Sequence, residues 1–154
     1  MAEVFIAARA EQSFIPVVHT DDEHRWFVRE LMLPNQEVWV AEEEREVVGF
    51  AAIKDDLLGH IYVHPRAQGN GIGTALLNKT KERRPDGFTL WTHQPNDGAR
   101  RFYERRGCVA VEFTDGAGNE EKTPDVRYQW RPASPESAAR SRAAGSRSSP
   151  HRSR

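Results

Sequence analysis

Apolar positions along this chain begin at helical spacing and change at Glu37 to the spacing of strands. Residues 2–14 carry Val4, Phe5, Ala8 and Ala10 among polar neighbours, and residues 21–33 carry Trp26, Phe27, Leu31 and Leu33, which predicts two helices. The second has an N-cap ahead of Asp21-Asp22-Glu23, where negative charge suits a helix start, and Pro34-Asn35 stops it. From Glu37 the pattern becomes that of strands: 37–42, the polar turn 43–46, 47–53, the turn 54–56, and a strand running from 57 to His64. Connections this short make antiparallel hairpins.

A loop with three glycines follows, Gln68-Gly69-Asn70-Gly71-Ile72-Gly73-Thr74, and opens a helix from about Gly71 to Arg84 with Ile72, Ala75, Leu76 and Leu77 inward. Phe88 to Thr92 reads as the next strand. Asn96 or Asp97 can cap a helix that Gly107 ends as a left-handed residue. Two strands, Cys108–Phe113 and Val126–Trp130, flank an acidic, glycine-containing loop. The sum is α/β of mixed α+β kind, a central sheet with flanking helices.

Composition sharpens the boundaries. Apolar residues make up 38% of the 154, a low share whose deficit is local to an Arg/Ser/Pro-rich end. Residues 132–154 are expected to be a disordered tail, leaving 1–131 as one domain. That tail has five arginines against one glutamate; its +4 leaves −5 for residues 1–131 out of a net −1. A mildly acidic body offers no footprint for specific nucleic-acid binding. There is no apolar run of 18 residues, so no membrane association is expected. The single cysteine, Cys108, excludes an internal disulfide or thiolate metal cluster; no metal is expected, and a reducing, cytoplasmic setting fits.

The glycine loop is the candidate for chemistry. Glycines let backbone approach a ligand, and unpaired N–H groups at a helix start favour phosphate. A P-loop would need Gly-Lys-Ser/Thr, and here the residues are Gly73-Thr74-Ala75. A dinucleotide fingerprint would need a glycine at Thr74 and an acid near Trp91. Neither pattern is met.

Taken with Ile61-Tyr62-Val63-His64-Pro65 before it and Asn96-x-x-Ala99-x-x-Phe102-Tyr103-Glu104-x-x-Gly107 after it, the pattern Gln68-x-x-Gly71-x-Gly73 resembles the GNAT superfamily of N-acetyltransferases. The resemblance covers roughly residues 20–131. It implies a mixed, mostly antiparallel sheet in which strands 57–64 and 88–93 splay apart around acetyl-CoA as co-substrate. Gln68, Gly69, Asn70, Gly71, Ile72, Gly73 and Thr74 would then cradle the pyrophosphate, and Ile61, Tyr62 and Val63 would bond the pantetheine. Asn96 would touch the pantetheine or serve as a plain N-cap. The family's first edge strand is missing from its usual place: either the start codon is placed late, or Val4-Phe5-Ile6-Ala7 is its vestige.

The resemblance further implies acetyl transfer to a primary amine on a small molecule or a protein, by direct attack in a ternary complex. A CoA-binding or interaction module with reduced activity is the alternative, and homodimerisation follows only by analogy. Tyr103 would be the acid that protonates the departing thiolate. For the base, His60, Glu42 and a water chain stay open; His60, Tyr62 and His64 share a strand face by its period of two. The loop 115–125, with four acids against one lysine, could receive a cationic amine or be a solvated hairpin tip. Trp26 and Trp39 could wall an acceptor pocket or sit in the core. Cys108 is read as core.

Overall fold

The computed structural model describes residues 1–136, 140 and 143. Most of the segment expected to be a disordered tail lies outside the described residues. The chain starts with α1 (Ala2–Ala10), which puts Val4, Phe5 and Ala8 inward. Val4 to Ala7 are therefore helical, and the reading of that stretch as a vestigial strand is set aside. Helix α2 (Asp21–Phe27) starts on a capping box: Glu23 N–H donates to the Thr20 hydroxyl, and Thr20 N–H donates to the Glu23 carboxylate. It continues through a π-helical turn (Val28–Met32) into α3 (Leu33–Asn35). The turn brings both Val28 and Met32 into the core.

Strands β1 (Glu37–Glu43), β2 (Glu46–Lys54) and β3 (Leu57–Val63) form an antiparallel meander, as their spacing predicted. After the glycine loop come α4 (Ile72–Arg83), β4 (Phe88–His93), α5 (Asp97–Glu104), β5 (Val109–Thr114) and β6 (Asp125–Trp130). The sheet order is β1-β2-β3-β4-β6-β5, with β3 and β4 its parallel neighbours. Residues 48–53 of β2 are all buried because both faces of this sheet are covered. Under α1 and α2 lie Phe50, Ala52, Val4, Phe5, Val28 and Met32. Under α4 and α5 lie Ala51, Ile53, Leu58, Leu77, Leu90 and Tyr128.

Two departures from regularity shape the centre. Opposite Ile53 and Ala52 stand Leu58 and His60, so Gly59 is an extra residue in β3. Leu58 therefore joins Ile61 and Val63 on the α4 side, while His60 and Tyr62 face α1. The second departure is between β3 and β4. Only Leu57 with Thr89 and Leu58 with Leu90 are paired there; beyond them the strands diverge.

Candidate active site

The divergence of β3 and β4 opens a cleft of about 640 Å³ at the C-terminal ends of two parallel strands, where ligands of open α/β sheets bind. Its walls include Ile61, Tyr62 and Val63 of β3, Trp91 and Thr92 of β4, Asn96 at the N-cap of α5 and Tyr103 within that helix. The glycine loop closes one end with Gln68, Gly69, Gly71, Gly73 and Thr74. Along that loop the six backbone N–H groups from Gly69 to Thr74 take no protein acceptor among the described residues; the first α4 bond is Ala75 N–H to Gly71 O at 3.0 Å. Such a run of donors at a helix start is a place for an anion.

The glycines do different work. Gly71 is the N-cap of α4 at φ +79°, and a side chain there would meet nothing within 4 Å, so the backbone turn and the open space are what it supplies. Gly73 has an ordinary φ, but a Cβ would lie 3.3 Å from the Phe102 ring, so its smallness lets α4 and α5 pack closely. Asn70 and Ile72 were expected in the cradle through the loop, and their side chains turn elsewhere. The Asn70 amide donates to Ala67 O at 3.4 Å, and Ile72 packs against the core. Only their main-chain N–H groups belong to the unpaired run. Gln68 donates to Val63 O at 3.2 Å, tying the loop to the end of β3.

Helix α5 brings two expected residues to the cleft. Asn96 accepts from Ala99 N–H at 3.1 Å, the N-cap geometry. Tyr103 is buried, and its hydroxyl takes no hydrogen bond among the described residues although its ring lines the cleft. Its neighbour Tyr128, 5.9 Å away between ring centres, differs: that hydroxyl donates to Glu104 at 2.6 Å and accepts from Arg100 at 3.2 Å. Burial, with Tyr62 nearby, pushes the Tyr103 phenol above its ordinary value, so it stays protonated at neutral pH. Gly107, at φ +87°, ends the helix, with Cys108 N–H returning to Tyr103 O at 3.0 Å. Cys108 itself is buried, and burial pushes its thiol up to about 11.

His60 does not line this cleft. It lines a second cavity of about 460 Å³, bounded by Phe5 and Arg9 of α1, Trp26 and Phe27 of α2, and Glu120 and Glu121. The imidazole stands edge-on to Phe5 at 5.6 Å, and its Nδ1 is buried without a partner. Burial, and then Arg9, hold His60 down at about 4, so it is neutral at pH 7. His64 leaves the strand face: it caps the short turn Pro65–Ala67, accepting from Arg66 N–H at 3.2 Å. Glu42 is exposed on β1 and reaches neither cavity. Trp39 packs on the core, whereas Trp26, 51% exposed, stands at the second cavity.

The acidic loop 115–125 is no free hairpin tip. Its Glu121 accepts from Arg9 at 3.0 Å, both side chains largely covered, and Glu120 bonds His19. Arg9 lines both cavities and lies beside Tyr62, whose phenol burial pushes up while Arg9 pulls it back. Among the cleft residues that carried no signal in the sequence are Arg9 and Arg106, since nothing in an arginine-rich chain marks them out.

An open mixed sheet, split at parallel strands, with a glycine loop and a helix start at the wide end of the split, forms a crevice of the kind in which open α/β sheets take their ligands. Residues 34–107 match the model of the Acetyltransferase (GNAT) domain. Over that segment, just under half of the chain, the sequence is similar to GNAT acetyltransferases. It is 36% identical over 86 residues to the peptidyl-lysine N-acetyltransferase YiaC of Escherichia coli (strain K12), covering 55% of this chain and 58% of that relative. The chain spans about half the length of the curated relatives it matches, 48% in a second case. Its fold is that of apo YjaB from Escherichia coli, with TM-score 0.68 and 21% identity over 84% of this chain and 88% of that one. A GNAT family acetyltransferase from Elizabethkingia anophelis, solved with acetyl-CoA bound, aligns with TM-score 0.58 at 17% identity, covering 66% of this chain and 79% of the other. No helix among the described residues is long and apolar enough to cross a membrane.

Proposed function

We propose that this protein moves an acetyl group from acetyl-CoA to a primary amine by direct attack, both substrates being bound together. The observation that carries the reading is the parting of β3 and β4 after two paired residues, with the unpaired N–H run of residues 69–74 at its wide end. The pyrophosphate would lie on that run. The β3 main chain from Gly59 to Val63, without a strand partner on the β4 side, would bond the pantetheine. The thioester would then sit near Tyr103.

The amine would approach from the second cavity, where carboxylates and aromatic rings suit an ammonium on an apolar stem. An alkyl ammonium of pKa ~10.4 is neutral in only about one molecule per thousand near pH 7.4, so one proton must first pass to water. The nitrogen lone pair forms the C–N bond, the carbonyl becomes an oxyanion held by main-chain N–H groups, and the C–S bond breaks. The nitrogen gives up its second proton, and the thiolate takes one from Tyr103, which solvent then restores. A buried neutral His60 is too weak a base for the resting ammonium, but it suits the far more acidic nitrogen of the tetrahedral intermediate. Cys108, buried and thiol-bound to its proton, offers no covalent route.

The acceptor is an amine-bearing small molecule or protein, met in the cytoplasm. The name of the YiaC relative, a peptidyl-lysine acetyltransferase, makes lysine peptides the first acceptors to assay. Calorimetric titration with acetyl-CoA tests the donor half: micromolar binding is expected, and a folded chain that binds none contradicts the reading. Release of CoA thiol in the presence of amines tests the other half and separates an enzyme from a binding module.

A further inference from the structure

The acidic loop 115–125 is built more firmly than a solvated turn requires. Asn119 Nδ2 donates to Thr123 O at 2.7 Å and to Asp125 Oδ2 at 3.0 Å, and Lys122 Nζ donates to Ala117 O at 2.8 Å. Gly116, at φ +82°, has no room for a side chain: a Cβ there would lie 2.3 Å from the Thr123 carbonyl. These contacts fix the direction in which the loop presents Glu120 and Glu121 to the second cavity. The two carboxylates are not equivalent. Glu121 is matched by the Arg9 guanidinium. Glu120 meets only His19 among the described residues, and His19 is shared: its Nε2 faces Glu120, and its Nδ1 lies 3.6 Å from Glu23 at the start of α2. One imidazole carries at most one positive charge, so the two carboxylates around it keep negative charge in excess at the mouth of the cavity, where both are more than half exposed.

Inward of that mouth, charge gives way to rings. From His19 the ring centres step 5.9 Å to His24, 5.0 Å to Phe5 and 5.2 Å to Tyr62, which walls the donor cleft. Burial lowers the His24 imidazole as it does that of His60, and Arg9 is offset by Glu121. His60 leaves one ring nitrogen without a partner in the same wall, open to an N–H donor. A site of this build discriminates by the number and spacing of charges. A lone ammonium at the thioester leaves the mouth unmatched, whereas a methylene chain with a second ammonium spans the rings and sets a charge at either end. A polypeptide would have to cross the mouth where His19 ties the loop to α2; a thin chain enters end-on.

We infer that the acceptor is a free aliphatic polyamine, one terminal amine attacking the thioester while a second ammonium rests on Glu120 and Glu23. The inference rests on the transfer reading above and names the acceptor for it. The second ammonium keeps its proton and takes no part in the chemistry. The attacking nitrogen forms the C–N bond, the C–S bond breaks, and the N-acetyl polyamine and the CoA thiol leave.

The test compares spermidine with octylamine, which has a similar length and a single charge, and with a lysine peptide, by release of CoA thiol from acetyl-CoA with the full chain. Spermidine is expected to exceed octylamine in kcat/KM by roughly five- to tenfold at moderate salt. That ratio should shrink in high salt and in Glu120→Gln. Equal or better use of octylamine overturns the inference, because the rings alone would then select the acceptor. A lysine peptide used better than spermidine overturns it in favour of a polypeptide. A ratio left unchanged in a folded Glu120→Gln protein also overturns it, and if that variant does not fold, the wild-type ratio and its salt dependence decide. A chain that binds acetyl-CoA and acetylates none of the three contradicts the transfer reading and this inference with it. One that acetylates octylamine or the peptide in preference keeps the transfer reading and loses only the polyamine.

Discussion

The cleft between β3 and β4 and the cavity against α1 and α2 meet at Arg9, yet their walls differ in kind. The first presents backbone N–H groups, a helix start and the Arg106 guanidinium bonded to the Thr74 hydroxyl. The second presents Glu23, Glu120 and Glu121 among Phe5, Trp26 and Phe27. One is built from main chain fixed by glycines, the other from side chains that helices and a loop bring together. On the proposed reading, the contrast would let a single sheet serve an anionic donor on one side and a cationic acceptor on the other: the separation of charge runs across β3, and the Arg9–Glu121 pair stands at the border, each residue engaging the other's excess charge.

The hardest blow to that division falls on Tyr103. Since its hydroxyl has no protein partner among the described residues, Tyr103→Phe should keep the melting temperature within about 2 °C. It should lower kcat by a hundredfold or more, with the acetyl-CoA Kd little changed. A variant with full kcat would leave the donor cleft a binding site without an acid.

On the other side of β3, His60 makes acid stability the probe. Its folded value of about 4 lies below the ordinary 6.5, so the unfolded chain binds a proton that the folded chain refuses between those values. The contribution is therefore present above pH 6.5 and is lost as pH falls toward 4, roughly 3 kcal/mol in all. His60→Phe should flatten that part of the stability-against-pH curve measured by urea unfolding. An equally steep curve would mean that His60 is solvated and that the cavity is wetter than its walls suggest.

A smaller effect is expected at Gly71. Its φ of +79° would strain any other residue by about 1–2 kcal/mol, and a valine would fill the open space on the loop. Gly71→Val should lower the melting temperature by several degrees and weaken acetyl-CoA about tenfold or more. Unchanged affinity in the folded variant would remove the loop from the donor site. Glu121→Gln should move least. It takes the charge from Arg9's partner, costing about 1 kcal/mol of stability at pH 7 and raising the acceptor KM a few-fold. Burial raises the Glu121 carboxyl, but its bond from Arg9 holds it below the ordinary range, so this stability fades as pH falls through that depressed value. A change in acetyl-CoA KM instead of acceptor KM would erase the border between the two cavities.

Elements with strong local signals were legible before the structure was known. The hairpins from Glu37 to Val63 follow from alternation and turn residues, the α2 start from Thr20 and its acids, and the α5 stop from Gly107. The glycine loop was legible as the turn that opens α4, where Gly71 takes a φ of +79°. What escaped was set by long-range packing. Arg106 reaches Thr74 across 32 positions and Arg9 reaches Glu121 across 112, and neither has a local reason to do so. The acidic loop looked like a solvated tip because its composition is that of one, and only the docking of Glu121 on α1 turns it inward. His64 was placed on the β3 face by strict alternation, which the turn at Pro65 interrupts.

Gly59 makes the centre of this fold sensitive to chain length in a way that residue identity does not reveal. Its Cβ position is roomy, 3.7 Å from the nearest atom, and its φ is ordinary, so Gly59→Ala should be mild. Deleting it is another matter. The strand is a two-beat pattern with one beat inserted, and removal would shift the residues on one side of the gap out of step with those on the other. Leu58 would be turned toward α1, or His60 and Tyr62 toward α4, exchanging oil for polar rings at the heart of both layers. This stretch of the chain should therefore accept many spellings of its letters and no change in their number.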